Sequence, residues 1–198
     1  MINYKMKQLL QITFIFCYLF PSIAVAATLT NVNVEQKGNN YIVHVESLIN
    51  ANINEVKRLI TDYENLPLIN PYLKQSKITF VAKDGRKTVS MLTKACILLI
   101  CYKIRHVQVF QLIGSDMVYG RVIPEKSDFK NGWTRWIIRK NINQNKSIAG
   151  TQVILDGEMT PDFFILPVIG PYHLKKKILE IATTTINNLE KIAQKINN

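Results

Sequence analysis

The sequence predicts an α+β domain built from an antiparallel sheet of about seven strands, two short helices after the first strand, and one long C-terminal helix. Three observations predict it. Short alternating runs recur between residues 41 and 159, separated by turn residues. One stretch near the start, residues 54–71, breaks that alternation with helical spacing and two prolines. Past residue 171 the alternation ends in a long run of helical periodicity.

The first alternating run, residues 41–49, places Tyr41, Val43 and Val45 on one face of a strand. Residues 54–63 carry Val56, Leu59, Ile60 and Tyr63 on one helical stripe, and Asn52 or Asn54 is available to cap the first turn. Pro67 and Pro71 limit the next segment to a short helix or turn. A second strand covers 74–83, and Asp84-Gly85 marks a hairpin turn. Residues 86–96 turn Val89, Met91 and Ala95 one way. In 101–113, Tyr102, Ile104, His106, Gln108, Phe110 and Leu112 share a face, opposite Lys103, Arg105, Val107 and Val109. A strand at 117–124 ends at Pro124. Residues 133–141 set Thr134, Trp136 and Ile138 opposite Trp133, Arg135, Ile137 and Arg139. The last strand, 149–159, sets Val153, Leu155 and Met159 opposite Gln152, Asp156 and Glu158. From Pro171 to about Lys195, Leu174, Ile178, Ile181, Ile186, Leu189, Ile192 and Ile196 keep close to one helical face.

Composition sets the outer limits. The chain has 198 residues, 47% of them hydrophobic, which excludes a disordered protein. Eight Gly and seven Pro are too few for collagen-like or low-complexity architecture. The net charge is +11, from 25 Lys and Arg against 14 Asp and Glu, which brings nucleic acid and anionic membrane forward as partners. The basic residues are scattered, however. Only Lys175-Lys176-Lys177 is dense, and no RNA-binding aromatic signature lies beside it. Nucleic acid is therefore not expected; the lysines are expected on solvated faces of strands and helix, with attraction to anionic lipid as the secondary expectation.

Residues 1–26 read as a secretory signal peptide. Lys5 and Lys7 form a positive start, Leu9 to Phe20 an apolar stretch, and Ala24-Val25-Ala26 a small-x-small cleavage pattern before Ala27. The competing reading is a membrane anchor, but the stretch is shorter than the ~20 residues a spanning helix needs and Pro21 breaks it. Cys17 lies inside the stretch, away from any acylation position. The expectation is a periplasmic or secreted protein with one domain over 27–198. Export changes how Cys96 and Cys101 are read. In an oxidising compartment two cysteines flanking Ile97-Leu98-Leu99-Ile100 are expected to pair as a disulfide. That segment should hold a hairpin tip. Its four large apolar residues either bury around Leu66 and Leu68 or stay outside to meet a cavity mouth or a membrane.

This order of elements resembles the START-like superfamily, which includes polyketide cyclase/dehydrase, ubiquinone-binding and Bet v 1-like proteins. The resemblance rests on Ile49 to Val56 leading into the first helix and on Thr61-Asp62-Tyr63-Glu64-Asn65-Leu66-Pro67 with Asn70-Pro71. Gly150-Thr151, Thr160-Pro161 and Phe164-x-x-Pro167 add to it. It spans about residues 39–196. The resemblance implies a helix-grip fold, in which the sheet curls around the final helix and leaves a cavity for a hydrophobic small molecule or lipid.

On the inward register the expected ligand-binding residues are Val43, Met91, Ile104, His106, Phe110, Trp136, Ile138 and Leu155. Leu174, Ile178, Ile181 and Leu189 oppose them from the helix. Catalytic residues are not assigned. His44, His106 and His173 are far apart in sequence, no G-x-S-x-G occurs, and no His, Asp and Glu grouping has metal-ligand spacing. No cofactor or metal is expected. The resulting expectation is an exported binding or carrier protein for a hydrophobic molecule, an isoprenoid or quinone-like compound being one such. A cyclase/dehydrase-type enzyme and a filled-cavity interaction protein of the envelope are the alternatives.

Overall fold

The computed structural model describes residues 28–97, 99–141 and 150–196. The segment read as a signal peptide, 1–26, and Leu98 lie outside the described residues. In chain order the elements are β1 (Thr28–Lys37), β2 (Asn40–Ile49), α1 (Ile53–Thr61), α2 (Leu66–Ile69), β3 (Leu73–Val81) and β4 (Lys87–Ile97). They continue with β5 (Ile100–Ile113), β6 (Met117–Val122), a 3-10 turn (Pro124–Lys126), β7 (Phe129–Lys140), β8 (Thr151–Pro161) and α3 (Gly170–Ile196).

The strands form one antiparallel sheet in the order β1-β2-β8-β7-β6-β5-β4-β3. Strand β8 returns to β2, aligning Val45 with Leu155 and Val43 with Gly157. Helix α3 packs against β1, β2 and β4 and against both short helices, so the sheet grips it. Its buried residues include Leu174, Ile178, Ala182, Ile186, Leu189 and Ala193, at intervals of three and four.

Local chemistry explains the boundaries. Asn52 caps α1 by accepting from the Asn54 backbone N–H at 2.8 Å, and Val56, Leu59 and Ile60 bury its inner stripe. Pro67 sits in the first turn of α2, where its missing N–H costs nothing. Gly85 closes the β3–β4 turn at φ 85°, a conformation that favours glycine. Glu190 of α3 is 2% exposed and accepts from the Asn50 backbone N–H at 2.9 Å, tying the helix to the end of β2. Burial raises its carboxyl above the usual range, against the lowering pull of that bond.

The structure departs from the sequence reading in several places. The sheet has eight strands, because β1 precedes the strand read as first, and the short helices come after β2. Strand β1 is an edge strand with a bulge between Leu29 and Asn31, and only Val34 among its described side chains is buried. Its polar composition hides it in the sequence. Strand β7 starts at Phe129, four residues before the expected point, with a register shift between Phe129 and Asn131. Leu112, inward by alternation, is 62% exposed, close to the β5–β6 turn and outside both apolar clusters. Val107, outward by alternation, is buried where residues 123–127 fold beside it: Ser127 Oγ accepts from its N–H at 2.8 Å, and its carbonyl accepts from Ile123.

Two apolar clusters make up the core. The larger joins β2, α1 and α3 through residues such as Val45, Val56, Ile186 and Leu189. The smaller joins Tyr63, Leu73, Val89, Met91, Phe110 and Val118. Trp136 and Leu66 pack against both.

Candidate ligand cavity

Between these clusters the sheet and α3 enclose a cavity of about 250 Å³. Its walls carry Val43 from β2, Met91 from β4, Ile104, His106 and Phe110 from β5, Trp136 from β7 and Leu155 from β8. Ile178 and Ile181 face it from α3. Ile138 and Leu174 do not line it. Both are buried in the larger cluster, at 1% and 6% exposure, as is Leu189. Ile138 lies one inward step beyond Trp136, where α1 packs on β7, and Leu174 lies one turn before Ile178. Alternation sets the face a residue takes, but it does not mark where along a strand the cavity ends.

The wall also carries a polar patch that the expected ligand-binding set omits. Gln108 is 6% exposed, and its Oε1 accepts from the Thr134 hydroxyl at 3.0 Å, so the two side chains meet across β6. Gly120 of β6 makes this crossing feasible. A Cβ there would lie 2.6 Å from Gln108 Oε1 and 2.6 Å from the Phe110 ring. Gln108 shares the inward register with His106, so the alternation of β5 was a signal for it. Phe129 and Thr185 also line the cavity.

Electrostatics keep this space neutral. Burial pushes the His106 imidazole down to about 4, against a weaker raising pull from Asp128, so the ring is uncharged at neutral pH. Burial likewise pushes the Tyr63 hydroxyl up to about 12, and its ring stacks on Phe110 at 4.7 Å. Among the described residues that line the cavity, none is Asp, Glu, Lys or Arg.

The other histidines lie elsewhere. His44, on the face of β2 opposite its buried residues, has Nδ1 2.6 Å from Asp156 and Nε2 3.3 Å from Glu46. Burial alone would raise the Asp156 carboxyl, but bonds from His44 and Arg135 hold it below its ordinary value. His173 lies in the first turn of α3 against Tyr172. Among the described residues no group of His, Cys, Asp and Glu is arranged to hold a metal ion.

An aromatic run leads from the cavity to the surface. His106 meets Phe129 at 5.9 Å, Phe129 meets Phe163 at 6.1 Å, and Phe163 meets Tyr102 at 5.2 Å. Beside Tyr102, Cys96 and Cys101 stand opposite one another in the β4–β5 hairpin and form a disulfide. A surface groove there is rimmed by Lys74, Lys94, Lys103 and Lys177. Ile97 turns into the core, but Leu99 is 99% exposed, and Leu68 is itself exposed. Of the tip's described residues, Ile97 thus buries in the cluster that holds Ile69 and Leu66 of α2, while Leu99 stays outside. In the loop before α3, Val168 is 93% exposed at φ 68°, a strained conformation for a β-branched residue.

No family model matches the chain, and no curated protein matches it in sequence. Solved structures do. A START superfamily protein from Mycobacterium smegmatis superposes with a TM-score of 0.61 at 18% identity, over 78% of this chain and 98% of that one. The Zhui aromatase/cyclase from Streptomyces sp. R1128 gives 0.65 at 11% identity, over 80% and 96%. A STAR-related lipid transfer protein from Xanthomonas axonopodis gives 0.62 at 12% identity, over 86% and 99%. The chain therefore has the START-like, helix-grip fold.

Proposed function

We propose that the protein is an exported carrier that holds a hydrophobic small molecule between sheet and helix. The observation that carries this reading is the cavity itself, 250 Å³ of largely apolar wall inside a fold shared with a lipid transfer protein and an aromatase/cyclase. An engineered cavity of ~150 Å³ holds benzene, so this one has room for about ten non-hydrogen atoms. That suits one ring system or one short chain, such as the head of an isoprenoid or quinone-like compound. It does not suit a whole two-chain lipid.

Binding is favoured over cyclase-type catalysis by His106. A general base works best with a pKa near the operating pH, and burial holds this imidazole at about 4. Native mass spectrometry of gently purified protein, followed by solvent extraction, tests the reading. A copurifying apolar molecule is expected. A bare chain that also takes up no apolar ligand of two-ring size would overturn it.

Residues 1–26, read as a cleaved signal peptide, support export, with the mature chain starting at Ala27 in the periplasm or outside the cell. Release and uptake of ligand take place at an anionic membrane. Lys74, Lys94 and Lys103 supply positive charge beside an exposed Leu99, Lys177 being paired with Glu180 at 2.5 Å, and the aromatic run from Phe129 to Tyr102 joins that end to the cavity. No helix of the described residues is long and apolar enough to cross a membrane, and the contact proposed is peripheral. Sedimentation with phosphatidylglycerol vesicles tests it. Salt-sensitive binding that is weak on phosphatidylcholine is expected, and equal binding to both would remove the electrostatic docking.

A further inference from the structure

The cavity wall is not uniformly apolar, and its polar groups are unevenly satisfied. Gln108 Oε1 is engaged by Thr134, while the Gln108 amide nitrogen has no hydrogen-bond partner among the described residues. The same holds for both ring nitrogens of His106, whose close neighbours are the Phe129 ring and the Asp128 charge. Gln108 and His106 occupy successive inward positions of β5, and both line the cavity. No fully buried side-chain nitrogen or oxygen among the described residues lacks a partner, so these nitrogens open onto the cavity space, where a ligand atom can bond them.

The arrangement is built. Thr134 fixes the amide by taking its oxygen, which leaves the N–H₂ end free to donate. Gly120 provides the room in which the side chain lies, since any Cβ at that position collides with it. The imidazole, kept neutral by burial, has one donor and one acceptor nitrogen.

We propose that Gln108 and His106 form a polar anchor that selects a neutral, oxygen-bearing ligand, a ketone, quinone, phenol or alcohol on an otherwise apolar skeleton. The proposal rests on the cavity being a ligand site and specifies what it accepts. The Gln108 amide donates to the ligand oxygen. His106 donates to a carbonyl or accepts from a hydroxyl. A carboxylate is rejected, because no cationic side chain lines the cavity among the described residues to offset a buried charge. The site therefore discriminates against free fatty acids and for their uncharged, oxygenated counterparts.

Three two-ring probes separate the outcomes. Naphthalene, 2-naphthol and 2-naphthoate are titrated into the protein at pH 7 by calorimetry or probe fluorescence. The expected order is 2-naphthol first, about tenfold tighter than naphthalene, which corresponds to 1.4 kcal/mol. 2-Naphthoate should be the weakest. In Gln108→Leu the ratio of naphthol to naphthalene affinity should shrink several-fold. If that variant fails to fold, His106→Leu carries the same test. Equal affinities for naphthol and naphthalene, or tighter binding of the naphthoate, would overturn the anchor while leaving the cavity a binding site. Absence of binding by all three would overturn both.

Discussion

Lys94 and Lys103 stand directly opposite each other across the β4–β5 ladder, two register steps from the Cys96–Cys101 disulfide. Like charges in opposed positions weaken a hairpin by a few tenths to about 1 kcal/mol. Both belong to the groove rim that Lys74 and Lys177 share. A carboxylate opposite Lys94 would suit the hairpin better, so the pair sacrifices local stability for positive charge. The Lys103→Glu variant should therefore melt at the same temperature or slightly higher. Its binding to phosphatidylglycerol vesicles should fall at least several-fold, as measured by sedimentation at low salt. A variant that binds such vesicles like the parent would show that the groove plays no part in docking.

The disulfide closes a loop with a sequence separation of only 5. Chain-entropy arithmetic for so short a loop gives about 2 kcal/mol, less than the ~3 kcal/mol of a fifteen-residue loop. In a chain of this size each kcal/mol moves Tm by about 2–4 °C. The double variant Cys96→Ser with Cys101→Ser should accordingly lose about 4–8 °C in a thermal melt. Non-reduced peptide mapping of protein taken from the envelope should show the two residues linked, and free thiols there would count against export to an oxidising compartment.

How much of the site is legible in the sequence depends on what each residue's pattern encodes. Strict alternation in β5 puts Ile104, His106, Gln108 and Phe110 on one face, and all four line the cavity. Helical spacing likewise identifies Ile178 and Ile181. Two kinds of information are missing from such patterns. Alternation has no term for position along the strand, so Ile138 looks equivalent to Trp136 although it is buried in the larger apolar cluster and does not line the cavity. Nor does it register what the neighbouring strand leaves open. Gly120 separates Gln108 from Thr134, and only the β5-β6-β7 register brings the three together. Strand β1 escapes for a simpler reason, since an edge strand with one buried side chain carries little hydrophobic pattern.

Two groups, half-buried His106 on the cavity wall and buried Glu190 on α3, should shape stability against pH in opposite directions. The folded-state pKa of His106 is about 4, below its ordinary 6.5. Between those values the unfolded chain takes up a proton that the folded chain refuses, so stability falls as pH falls, by about 3 kcal/mol in all. His106→Leu should flatten that part of the profile in urea melts between pH 7 and 4.

Glu190 acts in the other direction. Its pKa is raised above 4.5, so the folded chain holds a proton that the unfolded chain has lost, and stability falls as pH rises through that window. Glu190→Gln keeps an oxygen to accept the Asn50 N–H and removes the charge. It should raise Tm at pH 7 and leave the melt at pH 4 almost unchanged. A lower Tm at pH 7 would mean that the carboxylate is needed in its charged form.

Ala182 offers a way to change the cavity without touching the polar anchor. It is 6% exposed, lies on α3 between Ile178 and Ile186, and lines the cavity. At ~25 Å³ per non-hydrogen atom, the ratio implied by benzene in a 150 Å³ cavity, Ala182→Leu adds about 75 Å³ of side chain. About 175 Å³ would remain, enough for one ring and too little for two. Filling apolar space gains contact instead of straining it when the room is already there, so Tm should hold or rise. Naphthalene affinity should fall at least tenfold while benzene binding persists. Retained naphthalene binding in a variant that folds normally would mean that the ligand sits outside the space between sheet and helix, and the carrier reading would lose its site.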